Sequence, residues 1–140
     1  MITGAYLLAQ QLATNKLSYA GFGCLALAGA GTILVGIFPE NTVSSLHITG
    51  AALSFIFGNF GMILLGSGLR HFPRSVRMVS IIFGVIGLVA LLCFQLHTYL
   101  GLSLGGMERI VAYPQSIWMI LFGSYILATK GHVGTKPSKV

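Results

Sequence analysis

Four stretches of this chain, residues 17–38, 46–69, 76–96 and 107–129, are overwhelmingly apolar and hold no Lys, Arg, Asp or Glu in their central parts. Crossing the ~30 Å hydrocarbon core of a bilayer takes about 20 helical residues, and each stretch supplies them. Lipid offers no water to exposed backbone groups, so a span must be a helix or part of a closed barrel. A barrel is excluded, because these runs are continuously apolar and do not alternate in ~10-residue pieces. Composition agrees. Only 7% of the residues are charged, against roughly 25% in a soluble domain, and the mean hydropathy is +0.88. Nineteen glycines also suit membrane helices, where Gly is commoner than in soluble ones.

The reading is an all-α fold, a polytopic transmembrane helical bundle in one domain over residues 1–129. A polar, basic tail of residues 130–140 follows and is expected to be mobile. Residues 2–14 form a fifth, shorter helix, which carries Gln10 and Gln11 side by side. Its rise of only ~20 Å is short for a span. It is the end of a spanning helix whose start is missing, a helix lying in the interface, or a span with local thinning of the bilayer. A short or truncated span is favoured. Met1 is followed by no basic leader region, so no cleavable leader is expected.

Charge placement fixes the expected topology. Alternating the connections across the bilayer gathers Lys16, Arg70, Arg74, Arg77, Lys130, Lys136 and Lys139 on one side. Glu40 and Glu108, the two acidic residues of the chain, fall on the other side with Arg109. The positive-inside rule makes the basic side cytoplasmic, with the N-terminus outside the cell membrane and the C-terminus in the cytoplasm. The net charge of +6 is spread thinly at helix ends, without a basic run, so it marks orientation and anionic lipid contacts, not nucleic-acid binding. Cys24 and Cys93 fall at depths that differ by roughly 15 Å, beyond the ~7 Å Cα limit of a disulfide.

Within the bundle, Gly50, Ser54 and Gly58 stand at four-residue spacing on one face of the third helix. Such a stripe lets two backbones approach closely. The expected neighbour is the second helix, with Gly21, Gly29, Gly31 and Gly36. Asn59, near mid-membrane, must find a partner for its amide and is expected to bond across helices.

The outer side collects a polar rim of Glu40, Asn41, Thr42, His47, His97, Glu108, Arg109 and Tyr113, together with Gln95 and Gln115. Ionisable groups in a membrane protein are candidate functional groups. Glu40, Glu108, His47 and His97 are a weak metal set, since Zn²⁺ accepts such ligands. Simpler roles compete: Glu108 in the first turn of its helix would meet the helix dipole, Arg109 would pair with Glu40, and Asn41-Thr42 is turn chemistry. Pro114 is expected to kink the last helix or mark its start. There is no nucleotide loop, nucleophile elbow or zinc-protease helix, and no cofactor is expected.

The run Leu34-Val-Gly-Ile-Phe-Pro-Glu-Asn-Thr42 with His47, Gly50 and Ala51, then Phe55-Ile-Phe-Gly-Asn59, then Gly105-Gly-Met-Glu-Arg109 with Tyr113 and Pro114, resembles domain-of-unknown-function family 998. The resemblance covers residues 2 to 127. It implies a six-helix bundle of prokaryotic membranes and carries no activity. Its motif would map onto Glu40, Asn41, Thr42, His47, Gly50, Asn59, Glu108, Arg109, Tyr113 and Pro114. It also implies a further helix and outer loop ahead of residue 2, which this chain is expected to lack.

Three functions follow from the sequence. A non-enzymatic membrane protein that binds a lipid headgroup or partner membrane subunit at its rim is favoured. A small transporter or permeability factor, and a metal-assisted membrane hydrolase, are the alternatives. Self-association into a homo-oligomer is compatible with the glycine-lined face.

Overall fold

A computed structural model describes residues 1–99 and 101–133, apart from the side chains from 130 onward. The expected tail with Lys136 and Lys139 lies outside the described residues. Five helices follow one another: α1 (Ile2–Leu12), α2 (Lys16–Ile37), α3 (Ser44–Gly68), α4 (Arg74–Gln95) and α5 (Leu104–Val133). Four of them, α2 to α5, are long and apolar enough to cross a membrane. The chain is a multi-pass membrane protein of all-α architecture. At ~16 Å, α1 is shorter than the sequence suggested.

Local chemistry sets the helix ends. Asn15 caps α2 by accepting from the Ser18 backbone N–H at 3.0 Å, and Ser18 Oγ accepts from the Asn15 N–H at 3.1 Å. This reciprocal pair satisfies two donors that a helix start otherwise strands. Asn15 Nδ2 also donates to Gly68 O at 2.6 Å, fastening the α1–α2 turn to the end of α3. Pro39 stops α2, and Thr42 closes the turn by donating from both its N–H and its hydroxyl to Pro39 O. At the basic end, Arg77 Nε donates to Gly66 O at 2.9 Å, placing a cation on the negative end of α3.

The last helix begins earlier than the sequence suggested. Ser103 Oγ accepts from the Gly106 N–H at 3.2 Å, so Ser103 caps α5 and Gly105-Gly106 lie in its first turn. Glu108 therefore falls beyond the first turn, and Pro114 sits inside the helix and does not mark its start.

Each helix packs on its successor, and α3 also touches α5. The α2–α3 pair is the tightest. A methyl placed on Gly50 would stand 2.8 Å from Gly31 O and 3.0 Å from Val35 N, so these backbones are nearly in contact. The Thr32 and Ser54 hydroxyls meet at 3.0 Å along the same seam. Gly61 continues it against Gly21 and Cys24, and Gly68 against Ser18. Gly58 departs from the expected stripe: it faces the Gln115 carboxamide of α5 instead of α2.

The core is formed by Phe22, Leu25, Met62, Leu65, Leu69, Trp118 and Phe122. Trp118 stacks on Phe122 with centroids 4.8 Å apart. Its indole Nε1 donates to Ser80 Oγ at 2.8 Å, joining α5 to α4. Cys24 and Cys93 are free thiols.

α1 lies along the basic half of α2. Its first turn rests on Gly29, where an added methyl would stand 3.2 Å from Ile2 N. From Gly29 to Ile37, α2 continues for about 12 Å beyond the start of α1. Among the described residues the α1 and α5 backbones do not approach closely, and a groove lined by side chains of both lies between them.

Candidate functional site

The turn after α2, the start of α3, the end of α4 and the start of α5 meet at one end of the bundle. There they enclose a cavity of about 250 Å³ lined by Glu40, His47, Gln95 and Glu108, with Phe55, Leu91 and Phe94 among its apolar walls. The topology thus brings both carboxylates of the chain to one mouth. His47 is half-buried, and its Nδ1 lies 3.0 Å from Phe38 O. A carbonyl only accepts, so Nδ1 carries the hydrogen and Nε2 is the ring nitrogen left to a ligand. Glu40 and Glu108 accept hydrogen bonds, and among the described residues no Lys or Arg side chain lines the cavity. The mouth suits a ligand that donates.

A second cavity, of about 230 Å³, shares His47, Ala51, Phe55 and Glu108 with the first. It reaches down the α2–α3–α5 face past Thr32, Ser54 and Gln115 to Met1 and Met119. Gln115 is 6% exposed, and its Nε2 points to Met1 Sδ at 3.7 Å, a weak acceptor. Gln115 belongs to the polar lining although it lies two turns below Glu108.

The other rim candidates stand apart. Asn41 and Thr42 are exposed in the turn, and the Thr42 hydroxyl is spent on Pro39 O. Arg109 and Tyr113 are exposed on α5 and do not line either cavity. No ion pair between Glu40 and Arg109 forms among the described residues. His97 has a different task. It ends α4 in the left-handed region, with φ 56°. The His97 N–H donates to Phe94 O and the Thr98 N–H to Cys93 O, the paired bonds of a Schellman cap. With His97 in that cap, the four weak metal candidates are divided, and no three His, Cys, Asp or Glu side chains converge among the described residues.

Asn59 is fully buried. Its Nδ2 donates to Phe55 O of its own helix at 2.7 Å, where an interhelical bond was expected. Its Oδ1 has no hydrogen-bond partner. That oxygen occupies the place where a Cβ of Gly87 would stand, against the Gly87 Cα–H of α4, a weak contact of the kind common between helices. Below Asn59 the core is closed by Met62, Leu65 and Leu69, each at most 2% exposed.

Lys16, Arg70 and Arg74 are exposed at the opposite end. A larger cavity there, about 410 Å³, is lined by Gln11, Leu12, His71, Phe72, Pro73, Tyr125, Ile126 and Thr129. Its ionisable groups are the His71 imidazole and the Tyr125 phenol, with no carboxylate among the described residues. The acidic mouth therefore has the more defined chemistry.

Residues 1–125 match the family model described as "Protein of unknown function (DUF998)". The chain belongs to this family. No curated protein and no solved structure matches it. The family match takes in every residue of the acidic mouth, since Glu108 and Gln115 precede residue 125.

Sequence reasoning missed the aromatic walls and the depth of Gln115. In the sequence Phe55 and Phe94 are two apolar residues within apolar runs, with nothing to mark them as cavity walls. Only the helix crossing, set by the glycine contacts of α3, brings them beside Glu40 and Glu108.

Proposed function

We propose that the protein is a cell-membrane protein that binds a lipid headgroup through the cavity of Glu40, His47 and Glu108. In this reading the acidic mouth faces outward, and the basic end and the C-terminus face the cytoplasm. The carrying observation is that both carboxylates and an imidazole line one largely apolar cavity at a helix-bundle end. A carboxylate there, in the low dielectric near lipid, gains most from a cationic or hydrogen-bond-donating partner. The cytoplasmic placement of the other end follows from Lys16, Arg70, Arg74 and Arg77.

The test is native mass spectrometry of the protein extracted from membranes in mild detergent. The wild type is expected to retain lipid. Glu40→Gln combined with Glu108→Gln should release it, and Arg74→Gln should not. Equal lipid retention by the double variant overturns the reading.

A further inference from the structure

The groove between α1 and α5 continues the acidic mouth. The mouth shares His47 and Glu108 with the cavity beneath it. That cavity shares Met1 and Met119 with this groove, of about 180 Å³ between α1, α2 and α5. The groove is apolar, floored by Phe22, Leu25, Trp118 and Phe122. On α5 the lining residues Glu108, Ala112, Gln115, Met119 and Phe122 recur every three or four positions. They form one stripe along the helix.

The whole path has the polarity of a lipid, acceptors at the top and hydrocarbon below. Its length fits as well. From Glu108 to Gly123, α5 rises about 22 Å. One leaflet has about 15 Å of hydrocarbon and roughly 6 Å of headgroup region. Two of the groove's own glycines, Gly4 and Gly123, have no atom within 4 Å of the place a Cβ would occupy, so the groove is open beside both.

We propose that mouth and groove form a single site for one outer-leaflet aminophospholipid. Its ammonium group sits in the mouth lined by Glu40, Glu108 and His47, and one acyl chain lies in the groove between α1 and α5. A primary ammonium brings a positive charge and three N–H donors to this acidic lining. A choline headgroup has no such donor, and a glycerol headgroup brings no positive charge. The proposal rests on the headgroup reading above and adds the headgroup class and the seat of the chain.

Trp118 lines the groove and is the one tryptophan of the sequence. Bromine atoms on an acyl chain quench tryptophan on contact; because Trp118 also lines a cavity beside Val76 and Val79 of α4, the headgroup-selective part of the quenching that the groove variants remove reports occupancy. The full chain is reconstituted in vesicles with small amounts of brominated-chain phosphatidylethanolamine, phosphatidylcholine or phosphatidylglycerol. Phosphatidylethanolamine is expected to quench at an about tenfold lower mole fraction than the other two, the advantage of one charge-assisted hydrogen bond.

Gly123→Leu should fill the groove and abolish that selective quenching; Gly4→Leu should do the same from the α1 side. The Glu40→Gln, Glu108→Gln double variant should lose the headgroup preference, so that phosphatidylethanolamine quenches only at the higher mole fraction the other two lipids need. Equal quenching by all three lipids in the wild type overturns the proposal, as does selective quenching that survives both leucine variants. Lipid retained by mass with Trp118 untouched leaves the headgroup reading standing and removes the groove. Trp118 shielded from all three lipids in a particle of twice the mass assigns the groove to a second copy and also overturns the proposal.

Discussion

Gly87 of α4 and Asn59 of α3 share one space: the Asn59 Oδ1 fills the position a Gly87 side chain would take. The amide cannot retreat, because its Nδ2 is held by Phe55 O and the residue is fully buried. Gly87→Ala is therefore expected to cost about 1–3 kcal/mol, the usual penalty of overpacking. Asn59→Ala alone should cost less, because an amide bond within a membrane protein contributes only about 0.6–2 kcal/mol. The double variant should recover most of the Gly87→Ala loss. Thermal unfolding in detergent of all four proteins reads this coupling, and strictly additive losses would contradict the shared space.

Two glycines of α3 should respond differently to a methyl group. Gly50→Ala drives its Cβ into the backbone of α2 at Gly31 and Val35. An expected loss of about 1–3 kcal/mol follows, since neither helix can yield locally. Gly58→Ala meets only the end of the Gln115 side chain, which can rotate aside. Its loss should be smaller than that of Gly50→Ala. A ranking in the opposite order, measured by the same melts, would place the tight seam on α5.

His97 stands in a left-handed conformation that favours glycine. His97→Gly should relieve that strain and raise stability by about 0.5–1 kcal/mol. Lipid retention should be unchanged, because His97 does not line the mouth. If His97→Gly released lipid without lowering the melting temperature, the histidine would have a part in the site after all.

Orientation is open to a direct chemical measurement. With Cys24 and Cys93 replaced by alanine, Glu40→Cys should react with a membrane-impermeant maleimide added to intact cells. Arg74→Cys should react only after the cells are opened. The reverse pattern would put the acidic mouth in the cytoplasm and remove the outer-leaflet lipid from consideration.

The four spans were legible because lipid permits so few alternatives: length and the absence of central charge suffice. The α5 boundary was misread because Gly105-Gly106 look like loop, while the signal that decides it is the Ser103 cap. The rim was legible as a list and less so as a geometry. Glu40, His47 and Glu108 lie at element ends whose alternation is fixed by topology, so their meeting follows from chain order. His97 could not be separated from them by sequence, since its exclusion depends on a backbone angle. Gly58 was assigned to the wrong neighbour because a four-residue spacing drifts around a helix, and the seam with α2 runs through Gly61 instead.

Because every helix leans on the one synthesised just before it, assembly needs no distant search. A nascent span entering the bilayer finds its mate already waiting, and the glycine-tight hairpin of α2 and α3 is finished before α4 emerges. Chains severed in the Arg70–Pro73 turn should still reunite from two separately expressed pieces, because α4 and α5 then meet a finished partner surface.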